Sequence, residues 1–128
     1  MARKKWCPIP PRPAFRPKLT PEDRAAVDAL AAPVVARLNR RCKPPKGTPL
    51  FNYAESVLIR WHREALFLVL IMRTPHGRPA TFESRAARME HTGAEKFNLA
   101  IPMRRGWNTV LRDATPEECL AEISRSVR

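Results

Sequence analysis

The sequence is poor in glycine, cysteine and acidic residues. Its 128 residues include 4 glycines and 3 cysteines, and 12 Asp and Glu stand against 24 Lys and Arg. Phosphate-binding loops need closely spaced glycines, so neither GxGxxG nor a P-loop occurs, and we expect no nucleotide cofactor. Cys7, Cys42 and Cys119 lie far apart and provide neither a disulfide framework nor the CxxC pairs of a zinc site. We therefore expect reduced thiols and a cytoplasmic location.

Long hydrophobic runs are also missing. The longest, Ala65 to Met72, is far shorter than the ~20 residues that a membrane-spanning helix needs. The basic start, Met1 to Lys5, is followed by prolines where a signal peptide would have its apolar segment. The sequence therefore predicts no membrane partner and no export by that route.

Positive charge is what the chain has in excess. The formal net charge is +12 and the isoelectric point is near 11.0, which favours polyanionic partners. Most of the surplus lies in residues 1–46, where the only acids are Glu22, Asp23 and Asp28.

Residues 1–19 form a segment rich in proline that has cations but no acid. Each proline removes a backbone N–H and restricts the residue before it, so neither a regular helix nor a central strand is expected. The sequence predicts an extended basic arm. Aromatic rings between cations can stack on bases while the cations meet phosphates. The candidate nucleic-acid-binding residues of the arm are Arg3, Lys4, Lys5, Trp6, Arg12, Phe15, Arg16 and Lys18.

Residues 20–128 are expected to form a single α+β domain. Thr20-Pro21-Glu22-Asp23 is a helix-start pattern, with Thr as N-cap and acids in the first turn. Apolar residues then recur at helical spacing, and Pro33 is expected to kink the helix or divide it. The stripe comprises Val27, Leu30, Val34 and Leu38. The helix end and the residues just beyond it add five candidate phosphate contacts: Arg37, Arg40, Arg41, Lys43 and Lys46.

From Phe51 the pattern predicts strands joined by gaps too short for crossovers, hence a five-stranded antiparallel meander. Thr115-Pro116-Glu117-Glu118 repeats the cap pattern and opens a closing helix with Leu120, Ile123 and Val127 inward. Arg104 and Arg105 occupy a hairpin tip and complete the candidate nucleic-acid-binding set. The expected strands are 53–62, 65–72, 81–91, 97–103 and 107–111.

A family resemblance covers residues 51–124. Its residues are Phe97-Asn98-Leu99, Met103-Arg104, Trp107, Pro116-Glu117-Glu118-Cys119-Leu120 and Ile123. These resemble the C-terminal half of short uncharacterised bacterial proteins of the DUF3024-like group. The resemblance implies a strand-turn-strand-helix ending and a bacterial source, and it implies no activity. Trp107-Asn108 stands where those proteins more often have two aromatic residues.

Catalytic and metal-binding patterns are weak. His62, His76 and His91 have no spacing typical of a metal site, so we expect no metal. We interpret Cys119 as a small packed residue of the last helix rather than a nucleophile. The strand glutamates are interpreted as salt-bridge partners of the strand arginines rather than as an acid/base pair. This set comprises Glu55, Glu83 and Glu90 with Arg60, Arg85 and Arg88. Enzymatic activity is left open as the weaker interpretation, and no catalytic residue is assigned.

Two functional classes remain. In the first, the protein is a nucleic-acid-binding accessory protein, with RNA favoured over DNA because no pattern for reading a major groove is present. In the second, it is a structural or regulatory subunit, and the arm docks on an acidic protein within a larger complex. The sequence leaves open the biological process, the sequence specificity and the oligomeric state.

Overall fold

The fold is a five-stranded antiparallel sheet with one helix before it and one after it, as the sequence predicted. A computed structural model describes residues 18–47, 51–77 and 79–126. Along the chain the elements are α1 (Pro21–Arg41), β1 (Tyr53–His62), β2 (Ala65–Arg73), β3 (Thr81–Gly93), β4 (Lys96–Met103), β5 (Gly106–Ala114) and α2 (Pro116–Ser126). The strands lie side by side in chain order. No helix within the described ranges is long and apolar enough to cross a membrane.

Both helices begin after the Thr N-cap that the sequence predicted, and in each the acid three residues later makes the cap reciprocal. The Asp23 N–H donates to Thr20 Oγ1 at 3.1 Å, and the Thr20 N–H donates to the Asp23 carboxylate at 3.0 Å. Thr115 and Glu118 repeat this pair at 3.1 and 2.9 Å. The two caps fix where each helix leaves the sheet.

The apolar stripe of α1 differs from the prediction at one position. Leu30 is 39% exposed, whereas Ala31 is fully buried. The buried positions of α1 are 27, 31, 34 and 38, which are spaced by four, three and four residues and so form one face of the helix. Pro33 lies on the exposed side and α1 continues past it to Arg41. The expectation that Pro33 divides the helix is therefore wrong.

The helices cover one face of the sheet only. Leu68 at the centre of β2 pairs with Ile59 of β1 and Ala87 of β3. Side chains on this face form one core with the helices. Its most enclosed members include Leu66, Met89, Phe97, Leu99, Cys119 and Ile123.

The opposite face, which we call the open face, has no described helix packed on it. Because side chains alternate across a strand, Phe67 and Val69 of β2 point to it. In the pairing register they face Arg60 and Leu58 of β1. Arg60 and His62 of β1 are exposed on this face.

Candidate nucleic-acid interface

The C-terminal end of α1 carries a group of exposed cations. Arg40 and Arg41 form its last turn and Lys43 and Lys46 follow. Cations are favoured at this end because they interact with the unpaired carbonyls of the helix dipole. Among the described residues, none of the four has a carboxylate within 4 Å.

Asn39 holds this helix end against β1. Its side-chain amide donates to the Val57 carbonyl at 2.9 Å, and its carbonyl accepts from the Val57 N–H at 2.7 Å. Since β1 is an edge strand, the side chain of Asn39 satisfies edge groups that would otherwise be free to pair with another chain. The same contact fixes the position of the cations that follow.

A second pair of cations lies on the β4–β5 hairpin. Met103 and Gly106 pair at its base, and Arg104 and Arg105 form the exposed turn between them. The backbone of Gly106 has a φ of 110°, which side-chain-bearing residues rarely adopt, so glycine permits the tight return. Both arginines therefore project from a defined turn.

The two cation groups occupy the same end of the sheet. In an antiparallel meander β1 begins where β4 ends, and Arg41 and Lys43 line a groove with Tyr53 and Ala54 at the beginning of β1. The two groups lie towards opposite edges, because the β4–β5 hairpin is three to four strand spacings of ~4.8 Å from β1. A strand of nucleic acid that contacted both groups would cross this end of the sheet.

The remaining predicted residues divide into two sets. Arg37 is exposed and donates to the Ser124 hydroxyl, which ties α1 to α2. Lys18 is exposed, and the next residue is fixed because the Leu19 N–H donates to the Glu64 carboxylate at 3.3 Å. The rest of the arm lies outside the described residues: Arg3, Lys4, Lys5, Trp6, Arg12, Phe15 and Arg16.

The open face carries a cluster that the sequence analysis missed. The guanidinium carbon of Arg85 lies 4.3 Å from the Phe67 ring centroid, and that of Arg88 lies 4.8 Å from the Trp107 centroid. The two rings are 6.0 Å apart and inclined at 59°. We call these four residues the arginine–aromatic cluster. Stacking of a guanidinium on an aromatic ring contributes about 0.5–1 kcal/mol at exposed sites and about 2 when desolvated.

The arginines of this cluster use none of their hydrogen-bond donors within the described chain. Neither Arg85 nor Arg88 makes an ion pair or a hydrogen bond there, and the Nε of Arg88 is buried without a partner. A guanidinium has five N–H donors. Because that Nε is buried, the donors left for a ligand are those of the exposed Arg85 and the terminal N–H groups of Arg88.

Of the three arginines expected in a salt-bridge ladder, Arg60 forms an ion pair and Arg85 and Arg88 do not, and Glu55 pairs with Arg73, which was not in the expected set. Arg60 pairs with Glu83, and the Arg73 Nε donates to Glu55 at 2.8 Å. Hydrogen bonding from Arg60 holds the pKa of the Glu83 carboxyl below its usual value. Arg85 and Arg88 instead stack on rings, and the charge of Arg85 also contributes to lowering the pKa of Glu83.

Cys119 and His91 are embedded in the fold, whereas His62 and His76 are exposed. Cys119 is fully buried, and this burial, with a smaller contribution from Glu118, raises its pKa to about 11. His91 is also buried and its Nε2 is 2.7 Å from the Ala94 carbonyl oxygen. Within the described ranges no three His, Cys, Asp or Glu residues come together as metal ligands.

Comparison with known proteins returned no match to a family model, a curated protein or a solved structure. The resemblance noted above stays a prediction.

Proposed function

We propose that this protein binds nucleic acid, with single-stranded RNA favoured over duplex DNA, as an accessory protein. The observation that carries the proposal is a pair of exposed cation groups at one end of the sheet, one at the end of α1 and one on the β4–β5 hairpin. Among the described residues, neither group has a carboxylate within 4 Å. Unneutralised cations bind phosphates by releasing condensed counterions.

The arrangement of the helices favours RNA. Five strands separate α1 from α2 in the chain, so the described elements contain no helix-turn-helix pair to enter a major groove. Both helices place their buried residues against the sheet. Proteins without a reading helix commonly recognise single-stranded RNA through cations and aromatic side chains.

The proposal is tested by the salt dependence of binding. The full-length protein is titrated against a fluorescent single-stranded 12-mer RNA and a DNA duplex of equal length between low and moderate salt. Substituting Arg40, Arg41 and Lys43 together by Ala removes three cations, and at ~0.7 per single-strand phosphate contact the log–log slope should flatten by about 2. Arg104→Ala with Arg105→Ala should flatten it by about 1.4.

A matched control removes the same kind of charge elsewhere. Lys96 and Arg112 are exposed and lie near the opposite end of the sheet, at the start of β4 and towards the end of β5. Replacing both by Ala should leave the slope nearly unchanged. If the control flattens the slope as much as the hairpin variant does, binding is a diffuse charge effect and the interface is wrong. Wild-type protein that fails to bind RNA at low salt would favour the acidic-protein alternative.

A further inference from the structure

We infer that the arginine–aromatic cluster of the open face is a stacking platform for unpaired bases of single-stranded RNA. The inference rests on the proposed function and names the part of the surface that contacts bases rather than phosphates. It depends on three features of the cluster: planar groups, available donors and an adjoining groove.

The planar groups form a connected surface. Phe67 lies on β2 and Trp107 on β5, so two strands separate them, yet their ring centroids are 6.0 Å apart. Ala100 of β4 is buried on the same face, and its small side chain leaves space for Trp107 to reach across. Bases stack on aromatic rings and equally on guanidinium planes. Phe67 is only 7% exposed and supports the Arg85 guanidinium from beneath. The surfaces open to a base are therefore the two guanidinium planes and the half-buried ring of Trp107.

The donors match the chemistry that accompanies a base. Arg85 is exposed and Arg88 is half-buried, and neither is neutralised by a carboxylate within 4 Å in the described chain. An arginine that stacks on a base can also donate to the neighbouring phosphate or to the base edge. An aliphatic or purely acidic ligand would use only one of these two properties.

A groove continues from the cluster towards the β1–β2 turn. Its volume is about 320 Å³, and it is lined by Phe67, Arg88 and Glu90 together with His62, Arg63, Glu64 and Ala65. This volume is at the small end of the range for ligand sites, which suits one nucleotide. The Arg104–Arg105 turn lies on the other side of Trp107, separated from it in the chain by Gly106 alone. The groove side carries Arg63 and Arg88 together with the carboxylates of Glu64 and Glu90. A strand crossing the cluster therefore meets exposed cations at the hairpin and mixed charge in the groove.

The test separates stacking from charge by comparing two ligands with the same number of phosphates. The full-length protein is titrated with a 12-mer of uridine and with an abasic ribose-phosphate 12-mer at one salt concentration. Each stacked base strengthens binding by roughly 5- to 150-fold, so we expect the uridine oligomer to bind at least about fivefold more tightly. Trp107→Thr should remove most of this preference without changing the salt slope, and Trp107→Phe should restore much of it.

A matched tryptophan variant provides the control. Trp61 lies on the covered face, and its indole N–H donates to Asp28 at 2.8 Å, so Trp61→Phe should leave the preference intact. Equal binding of the two oligomers by the wild type would overturn the platform while leaving RNA binding in place.

A second measurement needs no variant and no long RNA. The indole N–H resonance of Trp107 is followed by NMR during titration with uridine 5′-monophosphate or ribose 5-phosphate. A shift with the nucleotide but not with the sugar phosphate supports the platform, even if neither 12-mer binds and the proposed function fails. No shift with either compound overturns the platform.

Discussion

The two faces of the sheet are covered in different ways. On one face, helices α1 and α2 bury aliphatic residues such as Leu68 and Leu99. On the open face, Phe67, Val69 and Ala100 are just as inaccessible, at 7%, 2% and 2% exposure, although no described helix lies over them. Long arginine stems and the indole of Trp107 cover them instead, since the apolar part of an arginine can lie along apolar surface while its charge stays in water.

The difference between the two faces separates the residues that stabilise the fold from those that can bind a ligand. A helix packed on a sheet cannot leave without unfolding the core, whereas an arginine side chain can rotate away from a ring towards a ligand. Substitutions on the covered face should therefore change mainly the free energy of unfolding. Substitutions on the open face should change mainly binding.

The largest expected effect is on the covered face. Ile123 of α2 is 3% exposed, and Ile123→Ala should lower the free energy of unfolding by about 2–5 kcal/mol because it removes buried methyl groups and leaves a cavity. Urea denaturation measures the loss. Val110→Ala, at a position 37% exposed on β5, is the control and should change the value by less than about 0.5 kcal/mol. Similar losses in the two variants would mean that α2 is peripheral.

A smaller loss is expected where α1 meets the edge of the sheet. Asn39→Ala leaves the N–H and carbonyl of Val57 without their side-chain partners, and unpaired polar groups of this kind cost about 1–3 kcal/mol. Asn52→Ala, at an exposed position before β1, should have almost no effect on the urea midpoint. An Asn39 variant as stable as wild type would show that water replaces the amide at this edge.

The covered face was largely predictable from the sequence. Its predicted elements depend on patterns among neighbouring residues alone: the alternation in β1, the apolar run of β2 and the two Thr-Pro-acid caps. The prediction of the α1 stripe was wrong at Leu30, because either Leu30 or Ala31 could have faced the sheet. A local pattern does not fix how a helix is rotated about its axis on the sheet. The end of β5 also extends to Ala114 rather than Leu111.

The arginine–aromatic cluster was not predictable, for a geometric reason. Strict alternation places residues three apart on opposite faces, but β3 pairs Ala87 with Leu68 and Arg85 with Val69. Ala86 is therefore an extra residue, a β-bulge, and it brings Arg85 and Arg88 to the same face. The contact between Phe67 and Trp107 further depends on strand order. The cation groups lie at the helix end and on the hairpin turn, where local sequence alone placed them, and they are exposed; their contact with nucleic acid stays a prediction.

Acid should weaken the covered face through the helix caps. The Thr20 and Thr115 hydrogen bonds lower the pKa of Asp23 and Glu118 below their usual values of 3.8 and 4.5. A carboxyl whose pKa is lower in the folded state than in the unfolded state stabilises the fold at any pH above its unfolded-state pKa. This contribution is lost as the pH falls through the folded-state pKa. The Tm difference between wild type and an Asp23→Ala, Glu118→Ala variant should therefore be largest near pH 7 and shrink below about pH 4. Glu117→Ala, an exposed neighbour outside both caps, should show no such pH dependence.

The smallest expected change in stability is on the open face, at Glu83. Its ion pair with Arg60 is about half exposed on both sides, where solvent and salt screen the attraction. Glu83→Gln should therefore leave the urea midpoint within experimental error. Because Arg60 lies opposite Phe67 in the strand register, losing this carboxylate places an unneutralised cation beside the arginine–aromatic cluster.

The same substitution should strengthen RNA binding, which distinguishes the open face from the rest of the surface. One additional cation near the phosphates should steepen the log–log salt slope by up to about 0.7 and raise affinity at low salt. Glu122→Gln is the matched control, because it frees Arg125 on α2, over the opposite face of the sheet, and should leave affinity nearly unchanged. If Glu122→Gln strengthens binding as much as Glu83→Gln does, net charge alone determines affinity and the two faces do not differ in function.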